Sequence, residues 1–565
     1  MADSSADKLH HVVAAQRTGR TAEALNLARA LLAEGGQPAQ ECNNLGSLLM
    51  RLGDTTSAVQ AFAHARRLDP INLEFAINLA IGLSALGKSE AALAELEDCS
   101  GAGAQVAPYW SVRANAARQA DRLKEARRCY EEALRCDPNY VKAQQGLAQV
   151  ALERGEEDAL TLYEAALRTD PENLYLWRGK AEALDVTGER AGALDIARRI
   201  VERAPRWIEG LELLAQIRLA AGEPDYTSHY ADAMRLHPDD LNIPTAWVQV
   251  LAGLDHYERA AAVAREAARR FTQLPLFRLL EAVHSGNAGD DARAETLFAN
   301  LPLTMADRHL HEARHRIRLH QFDMAERLLD QAIQDEPWNI SAWALRGVAW
   351  RAAGDPRHYW LHGQKGLVRK LPLSGADDLL PDAIERLRRL HASSALPLSQ
   401  SLRGGTQTRG RLLARHEPIF DQLRQAIART LITFQEQLPP ADPAHPLLRH
   451  RDAQLDIAGS WSVRLTGGGD YHTAHIHPQG ALSSALYFVV PERSGSEGVL
   501  ELGRPPADLR LDLPPEQVVE PEPGFLALFP STLYHGTTPF TAAERVTAAF
   551  DVVAKEVWWP RKSGE

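Results

Sequence analysis

The pattern of apolar and polar positions changes period along this chain. Over the first 356 residues it reads as short paired helices separated by regular turns. From Pro418, Leu423, Ile427, Leu431, Phe434 and Leu438 fall on one side of a single amphipathic helix, which Pro439 and Pro440 stop. Beyond Trp461 the period becomes two. The segments Trp461–Leu465, Ser484–Val490, Gly498–Leu502, Phe525–Phe529 and Arg545–Val553 read as strands linked by Gly- and Pro-containing turns. Residues 357–417 fit none of these periods. They predict one short helix among turns, with a loop at Arg403, Gly404, Gly405, Thr406, Gln407 and Thr408.

The turns of the first part are spaced by 33 or 34 residues, at Gly19, Gly53, Gly87, Asp121, Gly155, Gly188, Gly222 and Asp255. Five residues after several of them stands an alanine: Ala24, Ala58, Ala92, Ala126 and Ala193. Pro70, Pro138, Pro171, Pro205 and Pro238 close units, and Phe62 and Tyr130 supply aromatic filling. Each unit predicts a helix pair. The Gly or Asp permits the tight turn, the Ala lets backbones approach, and the Pro ends the second helix. Looser units follow through Gly289–Phe298, His320–Pro337 and Trp343–Gly354, about ten in all. One pair cannot bury its apolar face alone, so pairs stack. This array resembles the tetratricopeptide repeat family. The resemblance implies a groove that binds a protein or peptide partner. Trp110, Trp177, Trp247 and Trp343 are expected to pack between repeats.

Composition narrows the class. The chain has 565 residues, 45% hydrophobic and 24% charged, so it is not a disordered polymer. A net charge of −11 gives no general footprint for nucleic acid. Four cysteines, Cys42, Cys99, Cys129 and Cys136, contain no C-x-x-C pair and suggest a reducing cytoplasmic setting. The first residues lack the apolar core of a signal peptide, and no apolar run is long enough to span a membrane.

The chemistry is concentrated late in the chain. Tyr471-His472-Thr473-Ala474-His475-Ile476-His477 puts His475 and His477 two apart, so on a strand they share a face. His535 follows the Phe525–Phe529 segment, and Arg545 and Thr547 share a face of the last strand. Two imidazoles from one stretch and one from a later strand suit an open facial metal site. A fixed guanidinium suits a carboxylate, and the Thr547 hydroxyl adds a donor.

These motifs, with GSWSVRL, GGDYHTAHIHPQGALSSALYFVVP, PGFLALFPSTLYHGTTPF, ERVTAAFDVV and the QSLRGGTQT loop, resemble the Fe(II)- and 2-oxoglutarate-dependent dioxygenases, in particular those preceded by tetratricopeptide repeats. The resemblance implies an all-α repeat solenoid (1–356), a capping and connecting segment (357–417), and a double-stranded β-helix, or jelly roll, with flanking helices (418–565). It implies Fe(II), 2-oxoglutarate and dioxygen, with His475 and His535 as metal ligands and Arg545 and Thr547 on the co-substrate carboxylate. Tyr487 and Ser483 are further co-substrate candidates. Arg403, Thr406, Gln407 and His472 are substrate-side candidates. The superfamily's usual second ligand is an acidic residue, and here His477 occupies that position. Either His477 completes the triad, which the shared face favours, or Asp470 does with His477 behind it. The activity expected is hydroxylation of a protein or peptide recruited by the repeats. The alternatives are a repeat scaffold with an inert oxygenase-like domain, and a three-histidine cupin-type dioxygenase that does not use 2-oxoglutarate.

Overall fold

A computed structural model of the chain describes residues 5–302, 304–398, 400–492, 495–541 and 544–554. Trp558 and Trp559, expected to pack on a neighbouring element, lie outside the described residues. The chain divides into two compact units, one built on residues up to Lys180 and one running from Ala181 to Val557.

The first unit is helical. Its pairs turn at Gly19, Gly53, Gly87, Asp121 and Gly155, all at positive φ between 60° and 84°. This is the left-handed region where a Cβ clashes with the backbone, and Gly or Asp tolerates it best. Ala24, Ala58, Ala92 and Ala126 are fully buried. Aromatic rings fill the space above helical glycines. A Cβ on Gly46 would stand 2.6 Å from the Phe62 ring, and one on Gly146 would stand 2.2 Å from the Tyr130 ring.

The same period continues in the second unit at Gly188, Gly222, Asp255, Gly289, His320 and Gly354, all at positive φ. Its last repeat helix is Ile340–Ala353. The indoles have a common task. Trp110, Trp177 and Trp343 each donate Nε1–H to the carbonyl six residues earlier, on Ala104, Pro171 and Pro337. Trp247 instead stacks on Tyr230.

Eleven strands follow among the described residues of the second unit: β1 (Arg369–Pro372), β2 (Leu402–Arg403), β3 (Thr406–Gln407), β4 (Leu455–Leu465), β5 (Tyr471–His472), β6 (Leu482–Val489), β7 (Leu500–Leu502), β8 (Gln517–Val519), β9 (Phe525–Pro530), β10 (His535–Thr537) and β11 (Arg545–Ala554). The larger sheet has the order β1-β9-β6-β11-β4-β3, the smaller β10-β7-β8, and β2 pairs with β5. Three of these strands, β1, β2 and β3, come from the stretch that reads in sequence as a cap and connection. Between the two sheets lie Tyr487, Leu500, Leu502, Val519, Ala527 and Phe529.

The outer face of the large sheet is covered by helices Ala376–Ser393 and Pro418–Glu436. The first is longer than the short helix expected, because Ala383, Leu387 and His391 bury against the sheet. Alternation along β11 explains the division of labour. Val546, Ala548, Phe550 and Val552 face the helices, while Arg545, Thr547, Ala549 and Asp551 border a cavity.

Within this unit, polar bonds tie the repeat helices to the strands. Gln216 donates to Leu396 O at 3.0 Å and accepts from Leu398 N at 2.7 Å. Arg403 pairs with Asp255, and Arg409 with buried Asp185. Arg314 holds Asp508 with both ends of its guanidinium, at 2.6 and 2.8 Å, and Arg318 adds a third bond to that carboxylate.

Candidate active site

The cavity measures about 480 Å³, within the range of a small-molecule pocket. Trp461 and Val463 from β4, Phe529 from β9, and Arg545, Thr547 and Asp551 from β11 form part of its wall. Gln400, Ser401 and Gln407 close another side, from the same segment that bonds the repeats.

His475, His477 and His535 meet at this cavity. One ring nitrogen of each lies within 4.8 Å of the others. His475 bridges to His535 through two backbone bonds of 2.9 and 3.0 Å, which carry the H-x-H segment alongside β10. The ring centroids of His475 and His535 are 4.2 Å apart, and the Nε2 atoms of His475 and His477 are 3.1 Å apart.

The outer nitrogens are all engaged. His475 Nδ1 lies 2.8 Å from Thr473 O, and His535 Nδ1 lies 3.2 Å from Leu533 O. Because carbonyls only accept, these nitrogens carry the proton. His477 Nδ1 lies 2.5 Å from Asp551 Oδ1, and Trp461 stacks on the same ring with its plane tilted by 14°. Each imidazole is thus oriented from behind, with Nε2 left as the lone-pair donor, the arrangement that metal-binding histidines adopt. Burial, and after it the neighbouring imidazoles, hold His475 and His535 well below the ordinary histidine pKa, so both rings are neutral.

The other sequence candidates divide. Arg545 is buried at the cavity wall, where Nη1 donates to Gly498 O at 2.7 Å and the guanidinium lies over the Tyr487 ring. Thr547 and His472 border the cavity too. Burial first, and then the charge of Arg545, push His472 down to about 3. Gln407 lines the wall, but Thr406 bonds His391 and Arg403 is taken by Asp255. Ser483 bonds Ser531 in the core, and Tyr487 lies beneath Arg545. Asp470 accepts from Thr466 N and has no part in the histidine cluster. Asp551 was missed in the sequence, although the alternation that links Arg545 to Thr547 reaches it two steps later.

Residues 459–551 match the family described as "Putative 2OG-Fe(II) oxygenase", and residues 14–234 match the tetratricopeptide repeat. The chain thus carries tetratricopeptide repeats and, near its C-terminal end, a domain that matches the "Putative 2OG-Fe(II) oxygenase" family. All three histidines, Arg545, Thr547 and Asp551 fall inside the oxygenase match, whereas Gln400, Ser401 and Gln407 lie outside it. Protein FlbA of Caulobacter vibrioides is 31% identical over 147 residues, 26% of this chain and 25% of that protein. The match therefore spans a quarter of that relative's length. Among solved structures, a tetratricopeptide repeat protein from Parabacteroides merdae is 18% identical with a TM-score of 0.36, covering 43% of this chain and 96% of that one. YrrB, described as a TPR protein with an unusual peptide-binding site, is 19% identical with a TM-score of 0.26, covering 33% and 98%. Tetratricopeptide repeats generally mediate protein–protein interaction, and no described helix is long and apolar enough to cross a membrane.

Proposed function

We propose that this protein is an Fe(II)- and 2-oxoglutarate-dependent dioxygenase that hydroxylates a protein or peptide substrate recruited by its repeats. One observation carries this reading: a ring nitrogen from each of three imidazoles converges on one point while each Nδ1 is engaged by an acceptor behind it. That donor set fits ferrous iron, with His475, His477 and His535 as the holding residues. When bound, iron with 2-oxoglutarate and dioxygen supplies oxidative decarboxylation of the co-substrate and oxidation of a substrate C–H bond.

The chain's own residues prepare the site for this. Asp551 supplies, behind His477, the negative charge that a three-histidine set lacks. Arg545 offers its guanidinium to the distal carboxylate, braced by the Gly498 carbonyl and the Tyr487 ring, and Thr547 stands on the same face. Trp461, Val463 and Phe529 give the wall apolar surface that limits water.

A macromolecular substrate is favoured by residues 396–398 and 400–409. They border the cavity through Gln400, Ser401 and Gln407 and bond the repeat residues Gln216, Asp255 and Asp185. Ser401 O also accepts from Thr473 N, two residues before His475. A partner held by those repeats would therefore act next to the cavity's rim.

The test is conversion of 2-oxoglutarate to succinate by the full chain with Fe(II) in air. Succinate formation lost in His535→Ala, with one oxygen atom added to a captured peptide, supports the reading. Equal succinate formation by the wild type and His535→Ala contradicts it.

A further inference from the structure

After the repeat helix Ile340–Ala353 the chain makes one π-helical turn, Tyr359–Gly363. Such turns are rare and frequently mark functional positions. His358 and His362, four residues apart, meet edge to face here with centroids 5.6 Å apart. Glu516, next to β8, brings Oε2 to 2.9 Å from His358 Nε2. One ring nitrogen of each histidine and one Glu516 oxygen lie within 4.8 Å of one another. None of the three borders the large cavity.

The hydrogen bonds sort the ring nitrogens. His358 Nδ1 lies 3.2 Å from Gly347 O, which accepts its proton, and Nε2 faces Glu516, where a bound cation would take the place of the Nε2 proton. His362 Nε2 lies 3.0 Å from Thr532 Oγ1. With Nε2–H donating to that hydroxyl, Nδ1 is left as a lone pair, and this atom is buried with no hydrogen-bond partner. The His362 residue is only 4% exposed. An orphaned donor atom in the interior calls for a ligand. Gly347 keeps the neighbouring space clear, since a Cβ there would stand 2.5 Å from His362 Cε1. Arg351 is the competing cation, 3.8 Å from the other Glu516 oxygen, Oε1. Its guanidinium is engaged by the carbonyls of Gly503 and Pro514, at 2.8 and 2.7 Å.

We propose that His358, His362 and Glu516 form a second divalent-cation site, suited to zinc, that fastens the end of the repeat helices to the strands. Two imidazoles and a carboxylate are donors zinc accepts, and a hydrogen bond behind each imidazole is the expected support. Two ligands follow the last repeat helix and the third belongs to the β region, so the cation joins the two parts of the second unit. The site is independent of the proposed iron triad.

The experiment is a zinc titration of the full chain, followed by metal analysis and thermal unfolding. The wild type is expected to take up two equivalents, and the His475→Ala/His477→Ala chain one. That remaining zinc should raise Tm and show two imidazoles and a carboxylate by X-ray absorption. His358→Gln and Glu516→Gln should each weaken its uptake about tenfold or more. No stoichiometric zinc in the triad-deficient chain, when the wild type takes one equivalent, would overturn the proposal. So would uptake and a Tm rise unchanged in both His358→Gln and Glu516→Gln. Failure of the oxygenase reading alone would leave this zinc equivalent in place.

Discussion

His477 Nδ1 and Asp551 Oδ1 are 2.5 Å apart, joining the H-x-H segment to the far end of β11 across 74 residues of sequence. The bond fixes which imidazole nitrogen is protonated and which faces His475. It also puts a carboxylate one bond behind a cluster of three histidines that has none of its own. Asp551→Ala is therefore expected to weaken divalent-ion affinity about 10- to 100-fold, with Asp551→Asn less affected because its amide oxygen still accepts. Calorimetric titration with Mn(II), alongside circular dichroism to check the fold, measures this. Wild-type affinity in Asp551→Ala would remove the residue from its role.

Arg545 provides the second prediction. Arg545→Lys keeps a positive charge but not the two-toothed fork that matches a carboxylate. Losing charge-assisted hydrogen bonds of about 1.5–3 kcal/mol should weaken 2-oxoglutarate binding by about 10- to 150-fold. Binding of the metal alone should stay within about threefold of wild type, because no Arg545 atom belongs to the histidine cluster. Co-substrate titration of the Mn(II)-loaded chain separates the two.

Stability should depend on pH through His475 and His535. His475 and His535 are held well below 6.5 in the folded chain. Below about 6.5 the unfolded chain takes up protons that the folded chain refuses, so stability is intact above that pH and falls as acid is added. Buried His229, His284, His391 and His445 share the same sign, so the informative quantity is a difference. In chelator, Tm should fall less steeply between about pH 6.5 and 5 in His475→Gln/His535→Gln than in wild type. Parallel curves would contradict the burial of neutral His475 and His535.

Asp508 tests the junction inside the second unit. Its carboxyl is held below the ordinary aspartate value by Arg314 first and Arg318 next, against the cost of burial. This contribution is complete above the unfolded pKa and is lost as pH falls through the lower folded one. Asp508→Asn takes the shared carboxylate from half-buried Arg314 and buried Arg318 and should cost about 3–5 kcal/mol by urea unfolding at neutral pH. A cost under about 1 kcal/mol would mean the pairing is that of a solvated surface.

Gly146→Ala examines the repeat packing of the first unit. The new Cβ meets the Tyr130 ring at 2.2 Å, and overpacking of this kind costs about 1–3 kcal/mol. Thermal unfolding of the variant checks it, and an unchanged midpoint would show that the ring moves aside freely.

Much of this architecture was legible because some residues answer to local rules. A left-handed turn every 33 or 34 residues demands Gly or its nearest substitutes, so Gly19 through Asp255 announce the helix pairs directly. His475, His477, Arg545 and Thr547 follow from the two-residue period of extended chain. What escaped depends on pairing between distant segments. Residues 369–372 look like a connection until β9 offers its edge. Arg403 and Thr406 read as rim residues, but Asp255 and His391 claim them. Ser483 and Tyr487 have the right alternation, yet Ser531 and Arg545 occupy what they face. Glu516 carries no local signal at all, because its partners stand more than 150 residues earlier.

The most direct measurement is an anaerobic absorption spectrum of the full chain with Fe(II) and 2-oxoglutarate, compared with His535→Ala and Arg545→Ala. A charge-transfer band in the wild type, absent from His535→Ala and restored in Arg545→Ala only by excess co-substrate, is the predicted result. No such band in the wild type, or one that His535→Ala leaves intact, contradicts the account.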